Sequence, residues 1–507
     1  MISFFRILGS ILLMFSQTVG VWASGWSLPD HGPKQTGPLS QDDTSPKIYQ
    51  LSLQETTHLA LINNFDIQLA QYDVWIKRTD QDRAESIYDT LLDAEIEYRD
   101  DERAKSSTIA GTKTVDVDYN IGLSKKLPTG TTLNLDMINN RHKTRSAFAT
   151  NPLTYESELK FTWEQELGRN FFGIQDRGDV KITKIDIENA EFTSLEKIEA
   201  SLAEVQMAYW DLVLAQERLR IEEDILRQAQ LLYEIHEEKL KNGLIERPEV
   251  LATQANKERR GNEVDLARNR VEAQVNTLKF LLNIAGEVSF MPTQSLEFAP
   301  FTIDLNQSLQ MAFDHRRDYQ RASNEIRFQN IKLAMEKNNI WPEINLTASF
   351  AKNGLGDHFA ESAERITSED NPDLFAGIEF SFPLENRKAR SQLRATELKK
   401  ARTLIELKRL EKKIAVEIMD QVRDCLTFKD VAEKSEEIAR LQAQKLAEEE
   451  KRFRQGRSNT DILIRFQDDL IQDQLQAAQA KHRYLHALVD LELKSAVLLD
   501  QYWQGEL

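Results

Sequence analysis

Two long stretches of the chain repeat a hydrophobic residue every seven positions, the spacing at which helices pack side by side as in a coiled coil. We therefore predict one long helix over about 175–241 and another over about 388–455, each about 100 Å long at 1.5 Å per residue. No small domain buries helices of this length, so they must pack against other helices. The two stripes consist of Ile198, Val205, Leu212, Leu219, Leu226, Tyr233 and Leu240, and of Ile418, Cys425, Ala432, Ala439, Leu446 and Phe453.

Shorter segments alternate apolar and polar residues with a period of two, which is typical of strands with one apolar face. In 155–163, Leu159, Phe161 and Trp163 share a face opposite Lys160. The alternation fits either a sheet on a globular core or a membrane barrel whose apolar side chains contact lipid. The other predicted strands are 94–98, 115–123, 131–137, 344–350 and 378–382, with a hairpin turn at 128–130.

The N-terminus has the layout of a secretory signal peptide. Arg6 precedes a mostly apolar run over 7–19, and Val21 and Ala23 occupy the positions of a small-residue cleavage site. A membrane anchor would need a longer apolar run. We therefore predict a signal peptide over 1–23, a mature chain that begins at Ser24, and a flexible lead-in over 24–47. With export and the long helices, the barrel becomes the favoured interpretation of the strands.

The chain repeats its own pattern. The passage that begins at Leu51 recurs 252 residues later at Ile303, and the turn at Gly243 recurs 213 residues later at Gly456. Duplication on this scale indicates two copies of one structural unit. We predict a first copy over 48–285, a linker over 286–301 and a second copy over 302–507. Barrel strands would occupy about 92–166 and 343–383, and turns between long helices about 242–248 and 455–460.

Composition removes several classes of function. The net charge of −17 disfavours nucleic acid as a partner, and a single cysteine among 507 residues forms no internal disulfide. His482 and His486 stand four residues apart, a spacing that can hold a metal ion, but no third ligand is evident nearby in the sequence. We find no nucleophile–base pair and no cofactor cradle. The prediction is a protein that is not an enzyme, with no catalytic, metal or cofactor site.

Three motifs resemble the TolC-type outer-membrane efflux proteins, and the resemblance covers nearly all of the chain after about residue 48. They are a helix opening with a following acid at 64–66 and 316–318, the mid-helix Ala-Tyr-Trp-Asp-Leu at 208–212, and the turn at 243–254. The resemblance implies a mixed α and β fold of two repeats, in which a long helical barrel joins a transmembrane antiparallel β-barrel. It implies a homotrimer with four strands from each protomer.

The resemblance also implies a location and partners. The barrel would lie in outer-membrane lipid and the helices in the periplasm, where the tip docks a periplasmic adaptor protein and an inner-membrane transporter. The protein would then be a passive exit duct for efflux or type I secretion. The alternative from the residues alone is an exported helical scaffold or adhesin-like protein with no pore.

The predicted tip contains Gly243 and Gly456 as helix ends and Pro248 as a helix start. The second copy departs from the family pattern, because Ile462 stands where an acid is expected and Phe453 where a gate tyrosine is expected. The charged residues near the tip form either a gate or, as the alternative, ordinary helix caps and surface charges. The candidate gate residues are Glu249 and Asp461 as the acids, with Arg457 or Arg465 as a cation that holds neighbouring helices together.

Overall fold

A computed structural model describes residues 47–104, 112–146, 149–297 and 303–502 of the chain. The predicted signal peptide and almost all of the predicted lead-in lie outside the described residues. Within these ranges, residues 49–286 and 290–502 form one unit. No helix in the described ranges combines the length and the apolar character needed to cross a membrane.

The fold mixes short helices, very long helices and one large sheet. Two helices of 68 residues dominate it, and each is followed across a tight turn by a helix about half as long. The helices are α1 (Leu53–Asn63), α2 (Phe65–Glu85), α3 (Ile174–Lys241), α4 (Arg247–Leu281), α5 (Leu305–His315), α6 (Arg317–Asn339), α7 (Phe359–Ser368), α8 (Arg387–Arg454), α9 (Thr460–Ser495) and α10 (Leu498–Tyr502).

The strands are β1 (Lys47–Leu51), β2 (Thr90–Asp101), β3 (Thr114–Leu127), β4 (Thr131–Thr144), β5 (Leu153–Glu166), β6 (Val288–Pro292), β7 (Glu343–Gly356) and β8 (Pro372–Ser381). All strands of the large sheet are antiparallel to their neighbours, in the order β2-β3-β4-β5-β7-β8. The first half of the chain supplies four of these six strands and the second half two. The resemblance implies four per protomer, so the hairpin β3–β4 around Gly130 brings the number above the family pattern. Strands β1 and β6 form a separate pair.

The hydrophobic stripe of α3 is buried over only part of its length. Ile198, Val205 and Leu212 are fully buried, whereas Leu240 is exposed. Beyond Leu212 burial moves to residues spaced mostly four apart, because a straight helix of 3.6 residues per turn drifts away from a seven-residue line. The residues buried along this line are Ile221, Ile225, Ala229, Leu232 and His236, and Val213, Ala215 and Glu222 are buried beside it.

The motif at 64–66 separates α1 from α2 and joins α2 to the end of α4. Asn64 has the extended conformation, and its Oδ1 accepts hydrogen bonds from the amides of Asp66 (2.8 Å) and Ile67 (3.1 Å). Its Nδ2 donates to the carbonyl of Leu281 at 2.8 Å, the last residue of α4. One buried amide therefore satisfies the open ends of two helices, which otherwise leave backbone groups unpaired.

In the second half, arginines form the corresponding joint between the start of α6 and the end of α9. Arg317 donates to the carbonyl of Ala496 at 2.6 Å, and Arg316 donates to that of Lys494 at 3.3 Å. Arg316 also forms an ion pair with Asp318 at 2.7 Å. In the second half, charged side chains thus join the end of one helix to the start of another, as the neutral side chain of Asn64 does in the first half.

Arg317 also pairs with Glu199 of α3, at 3.0 Å between Nη1 and Oε2, and both side chains are buried. The other oxygen of Glu199 accepts from the amide of Leu499 at 3.2 Å. Burial raises the pKa of Glu199 from 4.5 to about 7, and the charge of Arg317 opposes this rise. The carboxyl group therefore takes up its proton more readily in the folded chain than in the unfolded one.

This raised pKa makes stability depend on pH. A carboxyl group whose folded pKa is raised stabilises most below its unfolded pKa and loses that contribution as pH rises through the folded pKa. We expect the contribution of Glu199 to the free energy of unfolding to fall by roughly 3 kcal/mol between pH 4.5 and pH values above 7. Glu199→Gln keeps an acceptor for Arg317 and should remove this slope in urea unfolding between pH 5 and 8. Glu196→Gln, which removes an exposed partner of Arg321, is the control. Parallel pH profiles for wild type and Glu199→Gln would contradict the assignment.

Candidate functional site at the helix tips and the sheet

The turns α3–α4 and α8–α9 end their first helices in the same way. Gly243 has φ +67° and Gly456 has φ +71°, a left-handed conformation that favours glycine. The amide of Gly243 donates to Leu240 O at 2.9 Å and the next amide donates to Lys239 O at 2.9 Å. The amide of Gly456 donates to Phe453 O at 3.0 Å, and that of Arg457 donates to Arg452 O at 2.9 Å. This hydrogen-bond pair is the Schellman motif.

The helices that follow start differently. Pro248 lies in the first turn of α4, where its missing N–H costs no hydrogen bond, and no side chain caps that start. At α9, the Oδ1 of Asn459 accepts from the amide of Ile462 at 3.0 Å. Ile462, which replaces the expected acid, thus takes part in a helix cap through its backbone.

A buried histidine joins the end of α3 to the start of α9. His236 hydrogen-bonds through Nε2 to Thr460 Oγ1 and through Nδ1 to Leu232 O, both at 2.8 Å. Its ring stacks on Phe453, with centroids 5.9 Å apart. Sequence reasoning did not find the contacts with Thr460 and Phe453, because both lie more than 200 residues from His236. The position of His236 near the end of α3 was the only signal.

The four candidate gate charges are all exposed. Glu249 lies in the first turn of α4 and Asp461 in the first turn of α9, where an acid interacts favourably with the helix dipole. Arg457 lies in the turn, and the Arg465 guanidinium lies 5.8 Å from the Phe466 ring centroid. Within the described residues, no ion pair links any of the four to another side chain. A single chain therefore displays them at one end of the helix pairs without bringing them together.

The sheet has one exposed apolar face. Residues paired directly across neighbouring strands place their side chains on the same face, and one such row crosses every strand of the sheet with an apolar residue each time. All members of this row are between 42% and 78% exposed. The row is Leu92, Leu123, Leu135, Phe161, Phe350 and Leu374.

The predicted lipid-facing residues belong to this face. Leu159 and Phe161 are exposed and Trp163 is half-buried. The adjacent row points to the opposite face and is mostly polar. It consists of Asp93, Gly122, Asp136, Lys160, Ala351 and Asp373.

The sheet ends on β2 and β8, which pair on one side only within the described residues. β8 carries large exposed apolar side chains, Leu374, Ile378 and Phe380 among them. Open edge strands of this kind offer unpaired backbone groups to a further strand.

One further group of chemically active side chains lies where α3 meets α9. His482 Nε2 lies 2.7 Å and His486 Nε2 3.3 Å from Asp211 Oδ1. Burial alone would raise the pKa of Asp211, but the hydrogen bond with His482 and the nearby His486 hold it well below its ordinary value. Asp211 belongs to the motif at 208–212, and its distance of 271 residues from His482 hid the pairing from sequence reasoning.

The tip turns make a testable prediction about glycine. Nothing lies within 4 Å of a Cβ built on Gly243 or Gly456, so an alanine there meets backbone strain and no clash. We expect Gly243→Ala and Gly456→Ala each to cost about 1–2 kcal/mol, and so to speed amide hydrogen exchange in their turn by roughly 5–30-fold. Gly261→Ala, inside α4 and equally free of neighbours, is the matched control and should not speed exchange. Equal effects at positions 243 and 261 would rule out a conformational requirement.

Comparison with known proteins finds a family match over part of the chain. Residues 171–283, which contain α3, the first tip turn and α4, match the sequence model of the family described as outer membrane efflux protein. No curated protein sequence matches the chain.

Solved structures share the fold at low sequence identity. The Campylobacter jejuni CmeC outer membrane channel has a TM-score of 0.64 at 15% identity, over 88% of this chain and 85% of that one. The open state of the Neisseria gonorrhoeae MtrE outer membrane channel has 0.64 at 15%, over 93% and 98%. The outer membrane protein VceC of Vibrio cholerae has 0.62 at 14%, over 88% and 96%. The chain thus has the mixed α and β fold of these outer-membrane channels. The match over residues 171–283 confirms the predicted resemblance to the outer-membrane efflux proteins in that part of the chain.

Proposed function

We propose that this chain is one protomer of a homotrimeric outer-membrane channel, a passive exit duct for efflux or type I secretion. The observation that carries the proposal is the row of six exposed apolar side chains that crosses the whole sheet. Large contiguous apolar patches are rare on soluble surfaces and mark interaction with a membrane or a partner. With the polar row behind it, this face matches a strand wall that has lipid on one side and water on the other.

The open edges of the sheet support a closed assembly. A membrane leaves no water to satisfy unpaired strand edges, so a spanning sheet must close on itself. β2 of one protomer would pair with β8 of the next around a threefold axis, each protomer giving six strands. The wall would then have no free edge.

The long helices would form the periplasmic part of the duct. Each half of the chain has a short helix pair, strands, a helix of 68 residues and a helix of 35 or 36 residues, which supports our proposal that the halves are copies of one unit. The tip turns at Gly243 and Gly456 would dock a periplasmic adaptor protein and, through it, an inner-membrane transporter. Energy for transport would come from that transporter.

An alternative function is that of an exported helical scaffold with no pore. This function explains the long helices but not the exposed apolar row of the sheet. Such a protein would expose the apolar row to water at a free-energy cost. It would be water-soluble after export, whereas the channel would fractionate with the outer membrane and require detergent.

The two faces of β5 provide the first functional test. Phe161→Arg should prevent or impair assembly in the outer membrane, because an arginine toward lipid costs about 2–4 kcal/mol near the midplane. Lys160→Glu, one residue away on the polar face, should assemble and change ion selectivity. Heat-modifiable migration reports assembly and bilayer recordings report selectivity. Normal assembly of both variants would contradict the assigned faces.

The tip charges provide the second test. Around a threefold axis each charge appears three times, and three like charges at a narrow mouth repel one another and attract counterions. We expect Glu249→Ala or Asp461→Ala to raise single-channel conductance or open probability in planar bilayers and to reduce cation preference. Glu272→Ala, an exposed acid on α4 about 35 Å from the tip, is the control. Wild-type recordings from both tip variants would remove the gate assignment and leave the channel proposal standing.

A further inference from the structure

Asp211, His482 and His486 bring together one oxygen and two nitrogen ligand atoms from two helices. The three atoms lie within 4.8 Å of one another. Asp211 comes from α3, and the two histidines stand four residues apart on α9, which places both imidazoles on the same helix face. In the described part of the chain no other three groups of this kind converge so closely.

The distances are close to those of a metal site. Tetrahedral bonds of about 2.0–2.1 Å place ligand atoms about 3.3 Å apart. Asp211 Oδ1 lies 3.3 Å from His486 Nε2 and 2.7 Å from His482 Nε2. The two histidine nitrogens lie within 4.8 Å of each other, so modest side-chain rotations would bring all three ligand atoms to the spacing that an ion requires.

His486 supplies an independent sign that the cluster lacks a component. Its Nε2 is shielded from solvent and makes no well-aligned hydrogen bond; its contact with Asp211 Oδ1, at 3.3 Å, is longer than that of His482. A buried polar atom without a partner loses its hydration without replacement. A bound cation would give this nitrogen a partner.

Two other histidines show what an ordinary structural pair looks like. His142 lies 2.5 Å from Asp116, and His315 lies 2.7 Å from Asp500. Each is a pair of one imidazole and one carboxylate, which an ion pair or hydrogen bond explains fully. The cluster on α3 and α9 differs by its second imidazole.

We propose that Asp211, His482 and His486 bind one divalent transition-metal ion of the Zn²⁺ class. Two imidazoles and one carboxylate suit Zn²⁺, Ni²⁺ or Cu²⁺, whereas Mg²⁺ and Ca²⁺ prefer oxygen ligands. The half-exposed Asp211 leaves a route from solvent and room for water as a fourth ligand. The ion would link α3 to α9 at mid-length, and this site does not depend on the proposed channel function.

The test is titration of Zn²⁺ alone into the metal-stripped, detergent-solubilised full chain without a polyhistidine tag, followed by calorimetry. We expect one ion per protomer and a rise in the thermal unfolding midpoint. His482→Ala and His486→Ala should each weaken binding at least about tenfold, because even changes to groups that only orient metal ligands cost about 10–100-fold. His142→Ala, from an ordinary pair, should leave the affinity unchanged.

Asp211→Asn covers the case in which a histidine variant misfolds. It has nearly the same shape, can still accept a hydrogen bond from His482, and removes the anionic ligand, so it should also weaken binding at least about tenfold. Wild-type affinity in a folded His482→Ala/His486→Ala double variant would overturn the proposal, as would a dissociation constant weaker than about 1 mM for the wild type. Equal affinity for Mg²⁺ would overturn the assigned metal class.

Discussion

Burial of one side of α3 is the constraint on which the rest of the structure depends. A helix of 68 residues cannot bury its apolar side against itself, so several other helices must lie along it. Its middle is the most completely enclosed part, with Ile198, Leu202, Val205 and Tyr209 fully buried. The hydroxyl of Tyr209 reaches the carbonyl of Leu51 at 3.1 Å, and Ser194 donates to the carbonyl of Ala70 at 2.7 Å. Strand β1 and helix α2 are thereby held against the same surface.

The hydrophobic periodicity of a sequence describes one helix or strand at a time. It therefore predicts single elements but not the contacts between them. The seven-residue line was correct at Ile198, Val205 and Leu212 and failed toward Leu240, because a straight helix shifts its buried side along its length. The alternation in β5 assigned Phe161 and Lys160 to opposite faces. It could not reveal that apolar residues of six strands fall in one row, because strand register depends on pairing between distant segments.

The polar contacts between different helices could not be predicted from the sequence. Glu199 and Arg317 are 118 residues apart, and Asp211 and His482 are 271 apart. Each residue is unremarkable in its own segment, an acid or base on an amphipathic helix. Only the crossing of α3 with α6 and α9 gives the first pair its buried environment and the second its two imidazoles.

The two joints between consecutive helical segments have different sensitivities. The end of α4 meets the start of α2 through the neutral amide of Asn64, whose hydrogen bonds are indifferent to ionic strength and to protonation. The end of α9 meets the start of α6 through Arg316 and Arg317, whose partners include three carboxylates, Glu199, Glu417 and Asp318. Changes in pH or salt concentration therefore act on the second joint and not on the first. The two halves of the chain therefore differ in how their helix joints respond to pH and to ionic strength.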